Sequence, residues 1–314
     1  MSQLYFSELI KGVATYVPGV RAFACRSSGG TLSAPYCYAV WMRHLLKAQA
    51  AGLTTTMSTV AELGPGDSLG IGLAAMLTGV DRYYAFDAKP HARSADNLAV
   101  FNELVRLFES RAPIPDTTQF PHLSPPLPSY DFPHSLLDEG RMADCLHPER
   151  LHTIRRALAR QGEPGDRIRI VYVAPWDDAD LMEPESIDMV FSQAVLEHVA
   201  DLEKTYRFLY TWLKPGGVMS HTIDYKSHGL TRDWNGHWTV AGWLWKLVIG
   251  KRPYLINRHP HSIQRTTLER CGFRVLNELR RESSSLDRRT LSYDLKNFSE
   301  DDLKTSGAFI QAAK

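Results

Sequence analysis

The stretch AELGPGDSLG at residues 61–70, followed by RYYAFD at 82–87, decides the fold. STVAEL (58–63) is a short β-branched run that enters a glycine turn, and SLGIGLAAMLTG (68–79) has helical spacing. RYYAFD then reads as a second strand. Strand, crossover helix and strand at this spacing give a parallel sheet with right-handed connections. Glycine suits positions 64 and 66 because a ligand lying against bare backbone would be blocked by a Cβ. The spacing on to Ser68 and Gly70 departs from the dinucleotide pattern G-x-G-x-x-G, and no GK[ST] follows to make a P-loop. Asp87 closes the second strand, where a carboxylate can accept hydrogen bonds from both hydroxyls of a ribose.

Toward the N-terminus, YCYAVWMRHLLKAQAAGL (36–53) is helical in pattern, with Tyr38, Trp41, Leu45 and Ala48 on one face and Gly52 as the stop. Residues 1–57 are expected to form an N-terminal helical cap on a main domain of 58–314. Toward the C-terminus a helix is expected over 91–109, and then the rhythm breaks. Residues 110–165 form an insertion, and its piece APIPDTTQFPHLSPPLPSYDFPH holds seven of the 18 prolines, which bars a regular helix or inner strand. LHTIRRALARQG after it reads as a short helix. Strands are expected again at RIRIVYV (167–173), IDMVFS (187–192), GVMSHTIDY (217–225), FRVLNEL (273–279) and AFIQAA (308–313), with helices at 201–213 and 263–271. Seven strands with intervening helices make an α/β, doubly wound, mostly parallel sheet.

The chain has 314 residues, 44% hydrophobic and 23% charged, an ordinary globular balance. Net charge is +1, which offers no clustered excess of Lys and Arg for nucleic acid. Cys25, Cys37, Cys145 and Cys271 are scattered without a CxxC pair, which fits reduced thiols better than disulfides or a zinc site. MSQLYFSELIKG lacks the basic end and apolar run of a signal peptide, and no stretch nears the roughly 18 apolar residues of a membrane span. A cytoplasmic protein with no stable membrane insertion is expected.

Taken in order, ELGPGDS, Asp87, IDMVFSQAVLEHV and LKPGG resemble the class I S-adenosylmethionine-dependent methyltransferases, particularly the branch with an LEHV segment. The resemblance covers residues 58–225 well and 263–314 in outline. It implies a Rossmann-like fold, S-adenosyl-L-methionine as cofactor and S-adenosyl-L-homocysteine as product. It further implies that Glu62, Gly64 and Gly66 border the methionine part and that Asp87 holds the ribose. Residues 175–178, Trp176 and Asp177 among them, would flank adenine, and Ser192 and Gln193 would sit beside the sulfonium. Tyr38 or Arg43 of the N-terminal helix would meet the cofactor carboxylate. Ser68 stands where the commonest pattern has a third glycine.

A sulfonium methyl is already activated, so such an enzyme aligns an acceptor and removes its proton where needed. The candidate bases are His228 and His198, oriented by Asp224, because imidazole titrates near the working pH. Some relatives bind a divalent metal through an E-x-x-E-H run. Ala194 replaces its first acid here, and no metal is expected.

Residues 226–262 are Trp-rich: Trp234, Trp238, Trp243 and Trp245 fall within twelve residues. Tyr225, Trp234, His237, Trp238, Asn257 and Arg258 are the candidate acceptor contacts, since flat aromatic faces among polar groups suit a sugar or other polar metabolite. VAGWLWKLVIG is read as a buried helix, ahead of a membrane-surface role. Expected function is O-methylation of a small-molecule acceptor. The alternatives are N-methylation of an amine or amino acid, and a non-catalytic cofactor-binding scaffold.

Overall fold

A computed structural model of the chain describes residues 3–17, 30–94, 96–163, 167–176, 178–252 and 254–314. Asp177 and Cys25 lie outside the described residues. Strand β1 (Thr59–Leu63) is buried along its whole length and pairs in parallel with β2 (Arg82–Phe86) and β4 (Ile187–Gln193). β3 (Arg169–Val173) extends the sheet beyond β2, and β5 (Leu213–Asp224) extends it beyond β4. β7 (Thr305–Ala313) runs antiparallel between β5 and β6 (Arg274–Glu282). The order β3-β2-β1-β4-β5-β7-β6 is the expected seven-stranded, mostly parallel sheet, made mixed by its last strand. Winding reverses between β1 and β4, and a ligand crevice opens at the carboxyl ends of strands around such a reversal.

Helices cover both faces. α2 (Ala34–Ala50) starts with the Ser33 side chain accepting from the Tyr36 amide, and Pro35 lies in its first turn. Tyr38, Trp41, Leu45 and Ala48 are all buried, as the pattern predicts, but so are Cys37, Ala39, Val40 and Met42. The helix is sandwiched. On one side Trp41 packs against Phe191 of the sheet, and on the other α2 meets the insertion. Under the sheet's opposite half, α7 (Leu202–Trp212) and α9 (His261–Arg270) pack together over Leu209, Trp212 and Leu268.

The insertion is part of the core. Ile114, Leu123, Leu127, Phe132 and Leu137 are buried in the same cluster as α2, although no helix or strand forms before α5 (Glu139–Cys145) and α6 (Pro148–Ala159). Tyr38 donates its hydroxyl to Ala112 O at 2.7 Å, and Arg43 donates to Pro115 O at 3.1 Å. Side-chain hydrogen bonds therefore do here what a sheet ladder does elsewhere.

At the N-terminus, α1 (Phe6–Ala14) packs on α8 (Gly242–Ile249) with almost no gap. A Cβ at Gly12 would lie 2.1 Å from Leu247 O, so only glycine permits this approach. α8 corrects the expectation of a buried helix: Trp245 and Val248 are buried, whereas Trp243 and Leu247 face outward. No helix among the described residues is long and apolar enough to cross a membrane.

Candidate active site

The glycine turn and Asp87 lie side by side. The amide of Gly64, which follows β1, donates to Phe86 O at 2.8 Å, so the turn is tied to the residue before Asp87. Gly64 has φ +64° and Gly66 φ +74°, a region that favours glycine. A Cβ at Gly64 would stand 2.5 Å from a methyl carbon of Val195, and one at Gly66 would stand 3.3 Å from Thr31 Oγ1. Ser68 occupies the third-glycine position, fully buried, where its amide donates to Thr31 Oγ1 at 3.0 Å. Small size suffices there.

Asp87 Oδ1 accepts from the amides of Ala88 (2.6 Å) and Lys89 (3.4 Å), while Oδ2 takes a long 3.4 Å bond from the Tyr172 hydroxyl. Burial raises its carboxyl above the ordinary range, against those amides. Bare backbone and a carboxylate with one loosely held oxygen fit an adenosyl group. Trp176, after β3, packs 5.9 Å from Phe86 and so stands at the same end of β2. Glu62 is buried under this turn and accepts from the Tyr83 hydroxyl at 2.5 Å, and burial pushes its carboxyl up to about 8. Ser192 is fully buried and bonds the His221 ring at 2.7 Å.

A cavity of about 250 Å³ opens at the carboxyl ends of β4, β5 and the start of β7. Gln193, Thr222, Asp224 and Arg281 line it from the sheet side, Tyr36 from α2, and Phe120 and His122 from the insertion. Asp224 is flanked by Lys226 Nζ at 3.7 Å and an Arg281 guanidinium nitrogen at 3.9 Å, so it is an ion-pair partner and not a free carboxylate. The Thr222 hydroxyl and Arg281 Nε are buried without a hydrogen-bond partner of their own.

LEHV after β4 and the loop after β5 bring Glu197, His198 and His228 together, and none of the three lines the cavity. His228 Nε2 lies 3.8 Å from Glu197 Oε1, and the two imidazole rings meet edge to face at 5.0 Å. His198 Nδ1 faces Tyr254 O at 2.9 Å, and burial together with His228 holds its pKa down to about 4. Both Glu197 oxygens are buried without a well-formed hydrogen bond, and burial drives the carboxyl well above its usual range. His228 itself adopts φ +49°, a strained conformation for a non-glycine residue. One donor atom from each residue falls within 4.8 Å of the others, a set that could hold a metal ion. The third donor of this set is a histidine from the loop after β5.

A family model described as a methyltransferase domain matches residues 145–220, from the end of α5 into β5. Over residues 145–220 the chain carries a methyltransferase domain. No curated protein matches the sequence. Among solved structures, the methyltransferase is similar to a protein assigned as a sarcosine dimethylglycine methyltransferase from Galdieria sulphuraria. The identity is 13%, with 87% of this chain and 84% of that one covered, at TM-score 0.43. An S-adenosylmethionine-dependent methyltransferase from Mesorhizobium loti is 12% identical, over 86% and 96% of the two chains, at TM-score 0.41. Haemonchus contortus phosphoethanolamine N-methyltransferase 2, in complex with S-adenosyl-L-methionine, is 16% identical over 90% of this chain and 57% of that one, at TM-score 0.40. These likenesses are distant, and the assignment stands on the family match together with the chain's own sheet order.

The other expected contacts of the methyltransferase sit elsewhere. Tyr38 and Arg43 are spent on insertion carbonyls. Tyr225 is buried against His261, at 3.1 Å. Trp238 is fully buried and donates to Arg258 O at 3.2 Å, and Trp234 donates to Ser284 O at 3.0 Å. His237 is buried with its pKa pushed down to about 3. Asn257 holds the LEHV turn through Leu196 O and Val199 O, and Arg258 bonds Val240 O and Asp294. None of these eight lines the cavity. The lining residues Tyr36, His122 and Arg281 carried no local signal, since the insertion reads only as proline-rich and Arg281 only as a strand end.

Proposed function

We propose that the methyltransferase O-methylates a small polar acceptor, a sugar or another polar metabolite, with His228 as the general base. The observation that carries this reading is the cavity at the carboxyl ends of β4 and β5, with an Arg–Asp pair in its wall and an imidazole pair in the loops that follow the same two strands. Glu62, Gly64, Gly66 and Asp87 would hold the cofactor, with Trp176 at its adenine and Gln193 at the cavity boundary. Bound S-adenosyl-L-methionine supplies the methyl group as an activated sulfonium.

The protein's own work is then alignment and proton removal. Tyr36, Phe120 and His122 exclude water from above, and Thr222 and Arg281 present unspent hydrogen-bonding groups to the acceptor. His228 takes the hydroxyl proton, which needs a base because a sugar hydroxyl is far too weak an acid to lose it alone. Glu197, whose carboxyl burial raises well above its usual range, lies 3.8 Å from the His228 ring. An ammonium acceptor fits less well, because Lys226 and Arg281 already neutralise Asp224.

Methyl transfer from labelled S-adenosyl-L-methionine across sugars, nucleotide sugars, phenols and amines tests this, with mass spectrometry locating the methylated atom. An O-methyl product lost in Arg281→Ala supports the reading. Turnover confined to amines contradicts it.

A further inference from the structure

Large apolar side chains are exposed on and around α1 and α8. Tyr5, Phe6, Ile10, Val13, Tyr16, Val17, Trp243, Leu247 and Tyr254 all belong to α1, α8 and their flanks. Phe6 is 73% exposed and Trp243 69%. Phe6, Ile10 and Val13 follow a spacing of four and three, so they share one stripe of α1, opposite Glu8 and Gly12, which are buried. The two helices are locked together. Gly12 abuts the carbonyls of Leu247 and Val248, Lys251 N–H donates to Thr15 Oγ1 at 2.8 Å, and Arg252 pairs with Glu8 at 2.8 Å. A cluster of exposed apolar side chains of this size on a folded protein marks an interaction site.

Charge identifies the occupant. Residues 3–17 and 240–256 contain four bases (Lys11, Lys246, Lys251, Arg252) and one acid, Glu8, whereas the whole chain is balanced to +1. That acid is buried and already bonded to Lys11 and Arg252. Lys246 and Lys251 are exposed, the latter above the Tyr16 ring. Aliphatic and Phe side chains flanked by Trp, Tyr and Lys, with no acid exposed in either segment and the neighbouring Asp294 paired with Arg258, form the composition of a surface that lies in a lipid interface.

We propose that the α1–α8 face docks peripherally on an anionic lipid bilayer. Neither helix spans it. Phe6, Ile10, Val13, Trp243 and Leu247 enter the acyl boundary, and Lys246 and Lys251 meet lipid phosphates. The face also connects to the site: the segment leaving α8 carries Tyr254, whose hydroxyl donates to Ala88 O at 3.1 Å and whose carbonyl faces His198. The proposal goes beyond the O-methylation reading and stands whatever the acceptor is.

Flotation of the full chain with phosphatidylcholine vesicles, with and without phosphatidylglycerol, tests it. The chain should float with the mixed vesicles and far less with phosphatidylcholine alone. Phe6→Ser/Trp243→Ser should cut the floated fraction at least about tenfold, since each exposed side chain forfeits its burial in lipid. Lys246→Glu/Lys251→Glu should weaken flotation similarly, and binding of S-adenosylhomocysteine should not change in either variant. Absence of wild-type flotation, equal flotation with neutral vesicles, or flotation unmoved by these substitutions overturns the proposal. So does a dimer in light scattering that the Phe6/Trp243 variant dissociates, if no vesicle binding accompanies it, because the face then belongs to a second copy.

Discussion

His228 Nε2 lies 3.8 Å from Glu197 Oε1, joining the loop after β5 to the LEHV turn after β4. The pairing places an imidazole with partial solvent access next to a carboxyl whose pKa burial raises well above its usual range. His198, by contrast, has its Nδ1 directed at Tyr254 O and a pKa near 4, so it stays neutral and is poorly suited to accept a proton.

His228→Ala should therefore lower kcat by about 10²- to 10⁴-fold, the usual worth of a positioned base. His198→Ala should cost much less. Steady-state kinetics on the identified acceptor checks both, with calorimetry of S-adenosylhomocysteine to show that the cofactor half is intact. Retention of most turnover in His228→Ala would remove it from the base role and favour amine methylation.

Catalysis is expected to proceed without a metal. Burial favours the protonated form of Glu197, which weakens its attraction for a cation, although Glu197, His198 and His228 could supply three donors. Exhaustive dialysis against EDTA should leave kcat unchanged, and Mn²⁺ added to the apoprotein should keep its free-ion electron paramagnetic resonance signal. Activity lost on chelation and restored by Mg²⁺ or Mn²⁺ would assign the triad to a cation.

Glu62 gives a pH dependence of stability with a definite sign. Its folded pKa of about 8 exceeds the ordinary 4.5, so its contribution is full below about pH 4.5 and is lost as pH rises through about 8. The buried histidines His44, His221 and His237, each at about 3, act in the opposite direction, and their contributions fade only below their ordinary 6.5. Between about pH 6.5 and 8, Glu62 alone of these four should cost the wild type on the order of 2 kcal/mol. Urea denaturation should show that loss, and Glu62→Gln, which keeps an acceptor for Tyr83, should flatten it. Parallel slopes for the two proteins would refute the assignment.

How far the sequence can be read follows from where each signal originates. The sheet and the clasp were legible because local chemistry specifies them: β-branched runs make strands, Gly64 and Gly66 need positive φ, and Asp87 ends a strand. β7 joins as a mixed, antiparallel strand, which AFIQAA could not reveal, since a fully buried strand reads alike in either direction. The acceptor side was misleading for a physical reason. Trp234, Trp238 and His237 are spent on packing and backbone carbonyls, and large aromatic side chains are as useful in a core as in a sugar site. The cavity wall comes instead from Phe120 and His122, placed by Tyr38 and Arg43 across more than seventy residues of sequence. Proline-rich chain fixed by long-range hydrogen bonds has no periodicity to read.

The central claim is that the glycine turn and Asp87 together hold an adenosyl group. Isothermal calorimetry of S-adenosylhomocysteine with the wild type and with Asp87→Ala tests it most directly, with thermal melts confirming that both are folded. The account predicts saturable one-site binding by the wild type and a loss of at least about tenfold in the variant, since a charged hydrogen-bond acceptor for the ribose is removed. No heat from the folded wild type, or equal affinity in the two proteins, would contradict it.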